Sequence, residues 1–237
     1  MKTQSAVRFM AMVGIAGLAL VGTAQAAPFS KTYSQTVSKT ILDWTGGTAK
    51  NLNFTKFDDT GRTLGMVKVT MIGRVAGDMA AENTGGSAAT LTATLRADMH
   101  LDGFPDTVTL DKTVTATESI GVTAWDGVTD FGGTSGHTWL DVLGGNMSTN
   151  RTLVIGIDDL ASFIGTSGFK TFTLTASGSS YATAGGSALS EFTTYANAQV
   201  DVTYYYTGTE FPAVPEPTSA MLLILGSCSI LIRRRRS

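Results

Sequence analysis

The sequence predicts an all-β fold, an antiparallel β-sandwich of jelly-roll-like type with long Gly/Ser/Thr-rich loops, and three observations carry the prediction. Threonine, glycine, serine and alanine dominate the chain while Leu, Glu and Lys are sparse, and Gly and Thr are poor helix formers. Several stretches alternate apolar and polar residues with period two, as strands with one dry and one wet face do. Turn-forming clusters such as "ENTGGS", "DGVTDFGGTSG", "LGGNMSTN" and "SGSSYATAGGS" separate them.

The chain opens on a stretch with the layout of a secretory signal. Lys2 and Arg8 form a basic n-region, Phe9 to Val21 an apolar core, and Ala24-Gln25-Ala26 a small-residue site, which predicts a signal peptide over 1–26 cut after Ala26. The apolar core is shorter than the roughly 20 residues of a spanning helix. Residues 27–210 then form one domain, long enough for a real core. In "MVKVTMIGR", Val67, Val69 and Met71 point one way and Lys68, Thr70 and Arg74 the other, with Met66 and Ile72 as apolar exceptions. In "ATLTATLRADMHL", Leu91, Ala93, Leu95, Ala97, Met99 and Leu101 share a face. Further strands are expected over 152–157, 170–176 and 196–206, the last with Val200, Val202, Tyr204 and Tyr206 in alternation. One short helix is expected in "DDLASFIG", capped by Asp158 or Asp159.

Charge and rare residues exclude several classes of function. Six of the 17 basic residues (Lys2, Arg8, Arg233 to Arg236) and one of the 19 acids (Glu216) lie in the flanks, leaving 11 and 18 in the body and a net charge near −7. With no cationic patch, nucleic acid is not an expected partner. The one cysteine, Cys228, lies in the C-terminal tail, so the body holds no disulfide and no cysteine-based zinc site. His100 and His137 are the two histidines, too few for a three-histidine zinc centre.

No catalytic constellation emerges. "GTSGH" lacks the last glycine of a nucleophile elbow and sits in β and loop context. Glutamates 82, 118, 191 and 210 stand in no motif, and a glycosidase needs an acid and a base at a fixed separation. "WDGVTDFGG" brings Asp126 and Asp130 together and "ADMHLDGFPD" brings Asp98, Asp102 and Asp106 together, yet neither matches a calcium loop of alternating oxygens. Turn formation by these aspartates is the plainer reading, with calcium at Asp126 and Asp130 as the alternative. Trp44, Trp125 and Trp139 could each stack on a sugar, set against core packing, with Trp125 and Trp139 as the ligand candidates.

Residues 211–237 form a tail in which Pro215-Glu216-Pro217 precedes thirteen mostly apolar residues, Ala220 to Ile232, and then Arg233, Arg234, Arg235 and Arg236. Thirteen helical residues reach about 20 Å, short of a hydrocarbon core of about 30 Å, so the arginine stems must snorkel with the basic cluster cytoplasmic. This tail resembles the PEP-CTERM sorting signal of Gram-negative bacteria that make exopolysaccharide. The resemblance implies an exported chain, held briefly in the inner membrane, processed by an exosortase near the Pro-Glu-Pro motif, and passed to the envelope surface or extracellular matrix. Signal peptidase, the exosortase and the secreted polysaccharide are the partners expected.

The body resembles the choice-of-anchor E domain. "FTKFDDTGRTLGMVKVTM" is similar to that family's opening through Phe57, Asp58, Gly61, Leu64 and Val67, "WDGVTDFGGTSG" to its glycine-rich loop, "LASFIGTSGF" to its Phe-x-Gly-x-Gly segment with an extra serine, and "VDVTYYYT" to its closing strand. The family implies a β-sandwich shared among several anchoring tails and no catalytic activity. The expectation is a non-enzymatic structural or adhesive matrix protein, with a carbohydrate-binding module gripping through Trp125 and Trp139 as the alternative and a hydrolase third.

Overall fold

The computed structural model describes residues 29–208. The signal segment with Ala24 and Ala26, and the tail with Pro215, Glu216, Pro217 and Arg233 to Arg236, lie outside the described residues. In chain order the strands are β1 (Phe29–Ile41), β2 (Lys50–Thr55), β3 (Arg62–Asn83), β4 (Ala89–Asp102), β5 (Leu110–Val122), β6 (Gly136–Leu143), β7 (Met147–Val154), β8 (Phe169–Gly178), β9 (Tyr181–Thr183) and β10 (Ala188–Gly208). All pair antiparallel.

β6 and β7 lie end to end along β3, broken at residues 144–146, and β8 and β9 lie end to end along β4, broken at Ser179 and Ser180. Counting each pair as one interrupted strand, one sheet (A) runs β1-β10-β3-β6/β7 and the other (B) runs β2-β8/β9-β4-β5. That is the eight-stranded order of a jelly roll, two sheets closed over one core. β3 and β10 are the spine, paired along their whole length from Asn83 opposite Ala188 to Arg62 opposite Gly208. At about 3.3 Å per residue, β3 follows a path of about 70 Å.

The inward faces are the alternating residues of the sequence. Val67, Val69 and Met71 of β3 and Val200, Val202 and Tyr204 of β10 meet Ala93, Leu95, Ala97, Met99 and Leu101 of β4 and Phe172 and Leu174 of β8, all buried in one cluster. Met66 and Ile72 lie half-buried on the outer face. A bulge at Gly65 and Met66, where Tyr206 faces Leu64 and Tyr205 faces Met66, lets Leu64 and Val67 both point inward despite their odd spacing. At Gly77 the carbonyl oxygen of Thr193 lies 1.9 Å from where a Cβ would stand, so the spine strands close there only around a glycine.

Both termini of the described chain lie at one end of the sandwich, where Phe29 pairs with Tyr206. An aromatic cluster fills that end. Phe57 sits 5.3 Å from Tyr206 and 5.7 Å from Tyr204, and Phe172 sits 5.1 Å from Phe104 and 5.9 Å from Phe54. Tyr204 donates its hydroxyl to the Thr55 carbonyl at 3.0 Å, and burial pushes its pKa above the usual tyrosine range.

Three expectations need correction. The helix in "DDLASFIG" is a single 3-10 turn, Ala161–Phe163, because the groups an α-helix would use are taken elsewhere. Phe57 N–H donates to Phe163 O at 2.8 Å and Gly165 N–H to Phe57 O at 2.9 Å, while Asp159 accepts from Ala161 N–H. The strand expected over 152–157 is β7 and ends at Val154, where Ile157 and Asp158 N–H turn back to Val154 O. "LGGNMSTN" is mostly strand, with only residues 144–146 outside it.

Candidate functional site

The end opposite the termini carries the loops 84–88, 123–135 and 184–187, and the longest of these holds three of the four candidate ligand residues. Its shape is imposed from below by Glu82, at the tip of β3 and fully buried. One carboxylate oxygen of Glu82 accepts from Asp130 N–H at 3.0 Å and Phe131 N–H at 2.8 Å, and the other from the Ser135 hydroxyl at 2.8 Å. A buried carboxylate is tolerable only when its oxygens are filled in this way. The next residue extends the staple: Asn83 Nδ2 donates to Ser87 O and Thr123 O, both at 2.8 Å, and Asn83 Oδ1 accepts from Gly85 N–H at 3.0 Å. Glu82 and Asn83 together tie two loops to the spine.

On this support Asp126 and Asp130 come together around Gly133, whose φ of +59° suits a glycine. Asp126 Oδ2 lies 2.6 Å and Asp130 Oδ1 4.0 Å from where a Gly133 Cβ would stand. Each carboxylate caps its own turn, Asp126 accepting from Val128 N–H at 3.1 Å and Asp130 from Gly132 N–H at 2.8 Å. The Val128 amide, backed by the Thr134 amide and the Ser135 hydroxyl, holds the Asp126 carboxyl below the usual carboxylate range. Among the described residues no group of three or more His, Cys, Asp or Glu side chains converges as metal ligands.

The two candidate tryptophans part company. Trp125 is 47% exposed beside exposed Val128. Its backbone N–H is fixed to Gly85 O at 2.9 Å and its indole N–H turns back to Val128 O at 3.4 Å, which leaves a ring face at the surface. Trp139 lies in β6 opposite Met79, packed against the core, with His137 edge-on at 4.7 Å. The third, Trp44, is buried and donates to Ile41 O.

His100 and the sheet-B carboxylates form a separate polar face. His100 Nδ1 meets Asp111, and Asp98 accepts from Thr113, Arg96 and Ser179. The Thr113 hydroxyl first, then Arg96, hold the Asp98 carboxyl below the usual range. Asp106 is engaged by Arg151. These carboxylates are bound into side-chain networks on the sheet and its rim. Sequence reasoning missed Glu82 and Asn83, and the one available signal was a carboxylate and an amide side by side directly before the turn "TGGS".

No protein-family model and no curated protein sequence matches the chain. Solved structures similar to it include the infectious bursal disease virus VP2 subviral particle, 14% identical over 85% of this chain and 42% of that one with a TM-score of 0.21. The Gx strain structure of the same virus is 13% identical over 86% and 42%, with a TM-score of 0.22. The chain spans less than half the length of these structures, and the likeness is too slight to bear on fold or function.

The staple yields a direct test. Glu82→Ala leaves three donors without an acceptor, which should cost about 3 kcal/mol of stability. By hydrogen exchange, the Asp130 and Phe131 amides should lose protection far beyond the global change, while β4 amides follow the global change alone.

Proposed function

We propose that this chain is an exported, exosortase-processed protein of the cell surface or extracellular matrix, a structural or adhesive component of an exopolysaccharide or biofilm matrix without catalysis. The observation that carries the reading is the pair of flanking segments: a signal-like stretch before residue 27, and Pro215-Glu216-Pro217, an apolar run and four arginines after residue 210. The geometry of the body supports it. The chain enters at Phe29 and leaves at Gly208 on the same end of the sandwich, so any tether there leaves the Glu82-stapled loops at the far end of a spine of about 70 Å. That is the layout of a display domain. An acidic body with few cations fits a soluble surface layer and not a nucleic-acid partner.

A second reading, carbohydrate binding, is favoured by one specific observation, the exposed Trp125 ring on a loop fixed at both its backbone and its base. Stacking on such a ring needs one open aromatic face. Of the two candidate tryptophans, Trp125 offers it, and Trp139 packs against the core.

The sorting reading is tested by replacing Pro215, Glu216 and Pro217 with alanine and fractionating cells and medium. The proposal expects the protein to stay with the inner membrane with an unprocessed C-terminus by mass spectrometry. Unchanged fractionation and an unchanged mature C-terminus would contradict it. For the binding reading, Trp125→Ala should weaken retention on the secreted polysaccharide with an unaltered melting curve, whereas Trp139→Ala should lower stability by about 3 kcal/mol without removing the ring that binds.

A further inference from the structure

The outer face of sheet A carries a groove of about 390 Å³ at mid-length, away from the Trp125 loop. Two irregularities make it. β1 bulges between Val37 and Thr40, which takes Ser38 out of register, and on the opposite edge residues 144–146 interrupt the β6/β7 line. Between these two breaks lie the outward side chains of one stretch of the spine, Arg74 of β3 opposite Asn197 of β10, and Ile72 opposite Gln199. The polar lining is Thr36, Ser38, Arg74, Asn146, Asn197 and Gln199, with no carboxylate among the lining residues.

Arg74 is the unusual member. The described residues include four arginines, of which Arg62, Arg96 and Arg151 each pair with an aspartate. Arg74 has no ion pair or hydrogen bond among the described residues, and its Nε is buried without an acceptor. An acidic chain with 17 aspartates and glutamates between residues 29 and 208 has thus left one guanidinium uncommitted, with its Nε covered on the sheet face. The acid nearest along β10, Asp201, is already held by the Gln199 amide at 2.9 and 3.1 Å.

We propose that this groove binds a carboxylate-bearing saccharide, with Arg74 gripping the carboxylate and Thr36, Ser38, Asn146 and Asn197 hydrogen-bonding the ring hydroxyls. A guanidinium is the side chain suited to a carboxylate, offering two parallel N–H donors in a fixed fork. Amides and hydroxyls both donate and accept, as a polyhydroxylated ring requires. The net negative charge of the body does not exclude an anion here, since exposed charges more than about 8 Å away are largely screened at physiological salt. An acidic peptide would equally satisfy Arg74 but would leave the ring of amides and hydroxyls without a matching set of partners. The assignment rests on the matrix reading for the source of the polymer and on the groove alone for the contact.

The test is calorimetric titration of the purified protein with an oligogalacturonate, a neutral oligogalactan of the same length, oligoglutamate and sodium sulfate. Oligogalacturonate should bind, with the neutral sugar, the peptide and sulfate at least tenfold weaker. Arg74→Gln should weaken the oligogalacturonate by about 10- to 100-fold. Arg74→Lys, which keeps the charge and loses the fork, should recover only part of it, and Trp125→Ala should change nothing. Equal binding of the neutral sugar, the peptide or sulfate, or affinity unaffected in a folded Arg74→Gln protein, would overturn the proposal. Because binding is read on purified protein, its failure is separate from failure of the sorting experiment.

Discussion

The antiparallel union of β3 and β10 is the constraint on which the rest of the structure depends. The two strands pair from end to end with one bulge near Tyr205 and Tyr206. Their free edges then dictate where the remaining strands of sheet A sit, β1 on β10 and β6/β7 on β3. Their shared inner face supplies the valines, methionines and tyrosines against which sheet B closes. The approach at Gly77 shows how tight the union is, since the Thr193 carbonyl occupies the space of a side chain. The tips of the same two strands also set the two ends of the sandwich. Tyr204 and Tyr206 at the end of β10 anchor the aromatic cluster near the termini, and Glu82 and Asn83 at the end of β3 fix the far loops.

How much of this could be read beforehand follows from how fully each strand is buried. β4 has neighbours on both sides and a sheet above it, so every second residue from Leu91 to Leu101 is apolar and the strand is plain in the sequence. β1 is an edge strand that meets the core only through Phe29, Tyr33 and Val37. That four-residue spacing resembles no strand, and its exposed lysines and bulge are devices that guard an open edge. β6 and the first half of β7 were hidden by the glycines at their break, and only the stretch of β7 from Thr152 to Val154 was legible. The short helix failed because a distant backbone, that of Phe57, takes the hydrogen bonds of the segment. Propensity within the segment cannot anticipate such a partner.

The loop at the far end was legible as a loop, and its aspartates as turn formers, because glycine and aspartate act within a few residues of themselves. The carboxylate that shapes it was not legible, since Glu82 acts about 50 residues away in sequence from Asp130, Phe131 and Ser135. Trp125 and Trp139 look alike in sequence and differ only by which face of which element each occupies. A binding face built across several strands, such as that around Arg74, is legible only once the register is known.

The central claim is a domain displayed outside the cell with its Glu82-stapled loops directed away from its tether. Its most direct test is labelling of intact cells with a membrane-impermeant thiol reagent, in a Cys228→Ser background that carries either Gly86→Cys at the far loops or Thr60→Cys near the termini. Gly86 has open space around it and both positions are exposed, so access and not folding governs the result. The account predicts labelling of both in intact cells, with Gly86→Cys reacting faster. Labelling of neither position without lysis, or faster reaction at Thr60→Cys, would contradict it.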